Sequence, residues 1–168
     1  MKIKYSEVLY FLALVLFIIY NYLAKTMLIE SFPSFTNAMI KLMKVTSVVL
    51  LTSKIIICDK YKIKELLIYA LIMVFVLVSS YITDSYELFW LYIFVISAKN
   101  IVFTKIIKFT TIINFMFLVV IISMASLGII NNLTNVTVNN VTGEIVTRHL
   151  LGFRHVNFLG SIIFSVYL

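Results

Sequence analysis

Long apolar stretches alternate with short polar ones along nearly the whole chain. A membrane-crossing helix needs about 20 mostly apolar residues to span roughly 30 Å of hydrocarbon. Val8 to Ala24 carries no charge, with Glu7 and Lys25 at its margins, and predicts a first span over 8–24. Residues 25–37, with Glu30 and Pro33-Ser34, read as a loop. A second span over 38–58 contains Lys41, Lys44 and Lys54, which must snorkel to the surfaces or face the bundle. A third, 66–83, lies between Glu65 and Asp84. Leu88 to Ala98 is uncharged but short, and reaches spanning length only over 86–102, with Lys99 at the headgroups. The strongest span is 109–130. A polar segment, 131–157, follows, and the apolar run 158–168 is too short to cross. The expected fold is therefore all-α: a polytopic membrane helix bundle of five spans plus an incomplete sixth, in a single membrane domain over 1–168. A free carboxylate at the end of a half-span would sit in or near hydrocarbon, so the pattern predicts the N-terminal portion of a longer protein or a truncated gene product. Met1-Lys2-Ile3-Lys4 has the look of a signal-peptide start, but no small-x-small cleavage site ends the run that follows.

Composition agrees with the pattern. Of 168 residues, 62% are hydrophobic and 12% charged, and mean hydropathy is +1.10. Soluble domains carry about half apolar and about a quarter charged residues, and one core of this size cannot hide the excess. The soluble, disordered and disulfide-stapled classes are excluded; Cys58 is the single cysteine. The net charge is +7, but the lysines are dispersed between apolar runs, which fits orientation signals and lipid contacts and not nucleic-acid binding. With the N-terminus cytoplasmic, nine basic residues fall inside (Lys2, Lys4, Lys54, Lys60, Lys62, Lys64, Lys99, Lys105, Lys108) and five outside (Lys25, Lys41, Lys44, Arg148, Arg154). That bias places loop 131–157 on the extracytoplasmic side.

The loop has two parts. Asn131 to Thr142 alternates Asn and Thr with Val, which suggests a short hairpin turning at Thr142-Gly143. Its three Asn-x-Thr sequons, at Asn132, Asn135 and Asn140, are what such a composition produces by chance. In the second part, both arginines and both histidines of the chain fall between 148 and 155. Arginine offers a planar fork of donors to a phosphate or diphosphate, and histidine can take a proton from a hydroxyl. Headgroup anchoring explains the same residues, with Asn157 as a helix cap. His149 and His155 lack i,i+4 spacing and have only Glu144 as a nearby carboxylate, so no metal site is expected. Lys41 and Lys44 share a helical face and could snorkel or attract a lipid diphosphate. Asp84 and Glu87 flank a tight turn, and the aromatic stretch Tyr81 to Phe94, with Trp90, reads as an interfacial belt.

Arg148-His149-Leu150-Leu151-Gly152-Phe153-Arg154-His155-Val156-Asn157, followed by Phe158-Leu159-Gly160, resembles the Arg-x-x-Leu-Gly-Phe-x-His-x-Asn segment of Wzy-type capsular and exopolysaccharide repeat-unit polymerases, in the O-antigen polymerase and ligase superfamily. Ile96 to Ile101 and Lys105 to Lys108 are also similar. Arg154 stands where these polymerases often have a small residue, and Val156 where proline is common. The resemblance covers the N-terminal part of that family. It implies a metal-independent, cofactor-free inverting glycosyltransferase of the bacterial cytoplasmic membrane, joining polyprenyl-diphosphate-linked oligosaccharide repeat units at the outer face for capsule or exopolysaccharide. Arg148 would bind the donor diphosphate and His155 would deprotonate or orient the acceptor hydroxyl. Arg154, Asn157 and Gly152 would complete the substrate site, Gly152 by allowing close backbone approach. The implied partners are the lipid-linked oligosaccharide, membrane lipids and other capsule-assembly membrane proteins, with no nucleic acid. Three other readings stand beside it: a lipid-linked oligosaccharide flippase or other non-catalytic transporter, the ligase branch of the superfamily, and an inactive fragment.

Overall fold

The computed structural model describes residues 5–138, 145–155, 157, 158, 160 and 161. Among them are six α-helices: α1 Tyr5–Lys25, α2 Leu28–Ser31, α3 Pro33–Ser53, α4 Ile63–Thr83, α5 Glu87–Ser97 and α6 Phe103–Ser126. A π-helical turn, Lys54–Cys58, continues α3, and two antiparallel strands follow α6, β1 Thr134–Val138 and β2 Ile145–His149. Three helices, α1, α4 and α6, are long and apolar enough to cross a membrane. They fall on the expected spans 8–24, 66–83 and 109–130.

Local chemistry explains where the helices stop. Pro33 opens α3, where its missing N–H costs nothing. Asp84 closes α4 in the left-handed region at φ 48°, a conformation its short polar side chain tolerates. After α6, the Ile129 N–H donates to the Met124 carbonyl and the Gly128 N–H to Ala125, at 3.0 and 3.2 Å. Gly128 sits at φ 72°, so this is a Schellman stop that needs a residue free to turn left-handed. It ends the helix at Ser126, short of the expected 130. The expected span 38–58 corresponds to α3 plus the π turn. The stretch 86–102 is helical only from Glu87 to Ser97, because the chain turns at Ala98–Val102 with Asn100 at φ 64°. At 1.5 Å per residue the 11-residue α5 is about 16 Å long. Most of the incomplete last span, 162–168, lies outside the described residues, as does the hairpin turn at Thr142-Gly143.

The chain divides into two compact units. The first comprises Met1–Leu14 and Val45–Ile106. In it, Tyr10 of α1 meets Phe94 of α5 edge-on at 5.9 Å, and the Ser47 hydroxyl donates to the Ala13 carbonyl. The helix pair α4–α5 is antiparallel: Tyr92 donates its hydroxyl proton to the Tyr69 carbonyl, and Tyr61, just before α4, donates to the Ile96 carbonyl near the end of α5. The outward residues of α4 are large and apolar, among them Leu67, Leu71 and Phe75.

The second unit comprises Val15–Lys44 and Ile107–Leu168. Tyr22 of α1 is its hub. The hydroxyl donates to the Asn114 carbonyl of α6 at 2.9 Å, and the ring lies 5.1 Å from Phe117. Ile121, Ala125, Ile130, Leu150 and Phe153 are buried here, so the polar loop contributes Leu150 and Phe153 to a core.

Candidate functional site

The Arg/His segment begins on β2. Arg148 stands opposite Asn135 and His149 opposite Thr134. The Arg148 side chain lies outside what the structure describes; the His149 side chain is exposed. One residue on, the Leu150 N–H still donates to the Leu133 carbonyl, after which the chain reverses. The Phe153 N–H closes the turn on the Leu150 carbonyl at 2.9 Å. Both central residues have positive φ, Leu151 at 49° and Gly152 at 84°, which makes it a type I′ turn. Glycine suits such a position; leucine does not. The Asn132 side chain holds the strained residue by accepting the Leu151 N–H at 2.9 Å.

Beyond the turn the segment is bolted to the end of α1. The Gly152 carbonyl accepts the Met27 N–H at 2.9 Å, the Arg154 N–H donates to the Lys25 carbonyl at 3.1 Å, and Phe153 pairs with Thr26 as an isolated antiparallel bridge. Phe153 is fully buried, its ring 6.2 Å from Tyr22 and 5.9 Å from Phe158. Gly152 backs onto α6 and the segment after it. A Cβ there would lie 2.7 Å from the Ile130 side chain, 3.1 Å from Ala125 and 3.2 Å from Ile121. The close approach at Gly152 is thus to the protein's own core.

Burying the middle of the segment leaves its polar flanks outside. His149, Arg154, His155 and Asn157 are all exposed. The Arg154 guanidinium reaches Glu30 through Nε at 3.4 Å, an open contact of small energetic weight that leaves donors free. The Lys25 ammonium lies 5.4 Å from the centre of the Phe158 ring. Arginine, lysine and histidine therefore surround a fixed turn, an arrangement able to receive an anion. The structure brings Gly152, Arg154, His155 and Asn157 onto one short stretch at the end of α1. Arg148 belongs to the strand before the turn. In the sequence Lys25 is a helix margin and Glu30 a loop residue; only the fold reveals their contact with the segment. Among the described residues no three metal-ligating side chains converge.

The first unit holds a second polar cluster. Lys54 and Asp59 are buried, and the ammonium donates to the Asp59 carboxylate at 2.6 Å and to the Lys99 carbonyl at 3.2 Å. Asn100 donates to the other carboxylate oxygen at 3.3 Å. The π turn makes this possible: the Asp59 N–H bonds five residues back to the Lys54 carbonyl, which carries the carboxylate over the ammonium. Lys99 pairs with Glu65 at 2.8 Å and sits 3.9 Å from the centre of the Tyr61 ring. Burial, with the Asp59 charge second, pushes the Tyr61 phenol well above its ordinary value, so it remains a hydrogen-bond donor. Lys105 pairs with Glu7 at 3.1 Å.

No family model, curated protein or solved structure matches the chain.

Proposed function

We propose that this protein works as a polysaccharide polymerase of the bacterial cytoplasmic membrane, with the 148–157 segment as its outer-face site. One observation carries the reading: the middle of the segment is buried and main-chain bonded against α1 and α6, while its histidines, Arg154 and Asn157 stay exposed. A headgroup anchor needs no such seating. In the proposed reaction an acceptor hydroxyl oxygen attacks the anomeric carbon of the lipid-linked donor, and the bond from that carbon to the diphosphate oxygen breaks. His155 takes the hydroxyl proton. Arg148 stabilises the negative charge on the departing polyprenyl diphosphate, with Arg154 assisting. Attack opposite the leaving group inverts the anomeric centre, and Asn157 holds a sugar hydroxyl or the loop. Gly152 serves by letting the turn seat.

The topology that goes with this function has five crossings before the loop, with the N-terminus cytoplasmic. Two contacts support it. The last turn of α1 and the end of α6 both meet the Leu150–Arg154 turn, so these ends lie on one side. Between them the chain crosses an even number of times, which α3, α4, α5 and α6 together satisfy, and which α4 and α6 alone would satisfy as well. The Tyr61–Ile96 hydrogen bond agrees, since it returns the end of α5 to the level where α4 starts. A short α5 can serve by local bilayer thinning and its Lys99 flank.

The test is genetic and chemical. Arg148→Ala and His155→Ala, each in cells making the protein, are expected to reduce long polymer at least about a hundredfold while single repeat units still reach the surface. Undiminished polymer would remove the proposed roles, and loss of surface units altogether would indicate a flippase.

A further inference from the structure

The loop before α4 carries more positive charge than its surroundings use. Lys60, Lys62 and Lys64 are exposed, and none forms an ion pair among the described residues. Asp59 is occupied by Lys54, and Glu65 by Lys99. Four lysines thus meet one available carboxylate, already paired, at the start of a long apolar helix.

Directly below them lies an apolar groove. Leu66, Tyr69, Ala70 and Met73 line it from α4, at the i, i+3, i+4, i+7 spacing of a single helix face, and Tyr92 and Ile96 line it from α5. It encloses about 190 Å³. The lining from Leu66 to Met73 extends roughly 10 Å along α4, within the depth of one leaflet. Tyr61 joins the two features, because it borders the groove and carries the Lys99 ammonium over its ring.

We infer that the groove and the lysine loop together hold one anionic glycerophospholipid, an acyl chain between α4 and α5 and the phosphate among Lys60, Lys62 and Lys64. Charge complementarity selects this occupant. A zwitterionic lipid leaves the lysines unbalanced, whereas clustered lysines at the cytoplasmic end of a membrane helix attract anionic headgroups. Size selects it as well: the groove is smaller than typical small-ligand sites, about 300–1,000 Å³, so it takes part of a single acyl chain and not a helix of a second copy. The inference rests on reading α4 and α5 as membrane helices and is independent of polymerase chemistry, so it is tested on purified protein without any sugar substrate.

The experiment is native mass spectrometry of the full chain released from detergent containing equal phosphatidylglycerol and phosphatidylethanolamine. One phosphatidylglycerol is expected to be retained, about fivefold or more over phosphatidylethanolamine, and Lys60→Gln/Lys62→Gln/Lys64→Gln is expected to bring the ratio to about one. Because these side chains are exposed, the triple variant keeps its helical circular dichroism. Filling the groove with Ala70→Phe, or with Ala70→Leu where the larger side chain prevents folding, is expected to lower retention of both lipids. Equal retention of the two lipids by the unmodified protein, or a preference that survives the triple variant, overturns the inference. A dimer without lipid that Ala70→Phe disperses overturns it too, by assigning the groove to a second copy.

Discussion

Leu151 and Gly152 form the tightest point of the outer segment, and their roles separate cleanly. Gly152 is fixed by two constraints at once, a positive φ and three side chains within 3.2 Å of where a Cβ would be. Gly152→Ala is expected to cost about 2 kcal/mol, from left-handed strain plus overpacking. Leu151 has only the first constraint, so Leu151→Asn is expected to gain up to about 1 kcal/mol by suiting the I′ turn. Thermal unfolding in micelles followed by circular dichroism measures both. An alanine at 152 that leaves the midpoint unchanged would show that the turn does not seat against α6. The resemblance implies a close backbone approach to substrate at Gly152; the approach the fold shows is a different one, to Ile121, Ala125 and Ile130. Sequence alone could not mark Phe153 as the anchor, since one buried phenylalanine in a polar loop has no periodicity to reveal it. Nor could it pair Arg154 with Glu30, more than a hundred residues apart in the chain.

Among the elements, apolar runs were legible wherever packing and length agreed. α1, α4 and α6 follow from uncharged stretches near 20 residues, and the Asn/Thr alternation falls on β1, while β2 lies beyond it at Ile145–His149. Helix ends were less legible, because they depend on caps such as Gly128 and Asn100 that a hydropathy run passes over. The π turn was hidden for a different reason. Lys54 read equally as snorkelling or inward-facing, and only the i→i+5 geometry places Asp59 against it. Breaking a buried pair strands a charge, so Asp59→Leu is expected to destabilise by roughly 3–5 kcal/mol, while Lys54→Met/Asp59→Leu recovers most of that loss. Denaturation in micelles compares the variants. Equal stability of the single variant and the unmodified protein would mean that Lys54 reaches water.

At the scale of the whole molecule, the proposed function and the proposed lipid site share one assumption, the orientation of the helices in the membrane. The proposed topology assigns the Arg/His segment to the outer face and Lys60, Lys62 and Lys64 to the inner one. Both the polymerase reading and the lipid site use that separation, the first because lipid-linked glycans are met outside, the second because anionic lipids enrich the inner leaflet. The lysine bias suggests this orientation from sequence; the contact between Tyr61 and Ile96 is a property of the fold that a hydropathy run does not reveal. Impermeant maleimide labelling in intact cells decides the matter most directly. In a Cys58→Ser background, Asn131→Cys is expected to label before lysis and Lys62→Cys only after it. A thiol at 131 protected until lysis, with the one at 62 open in intact cells, would contradict the account.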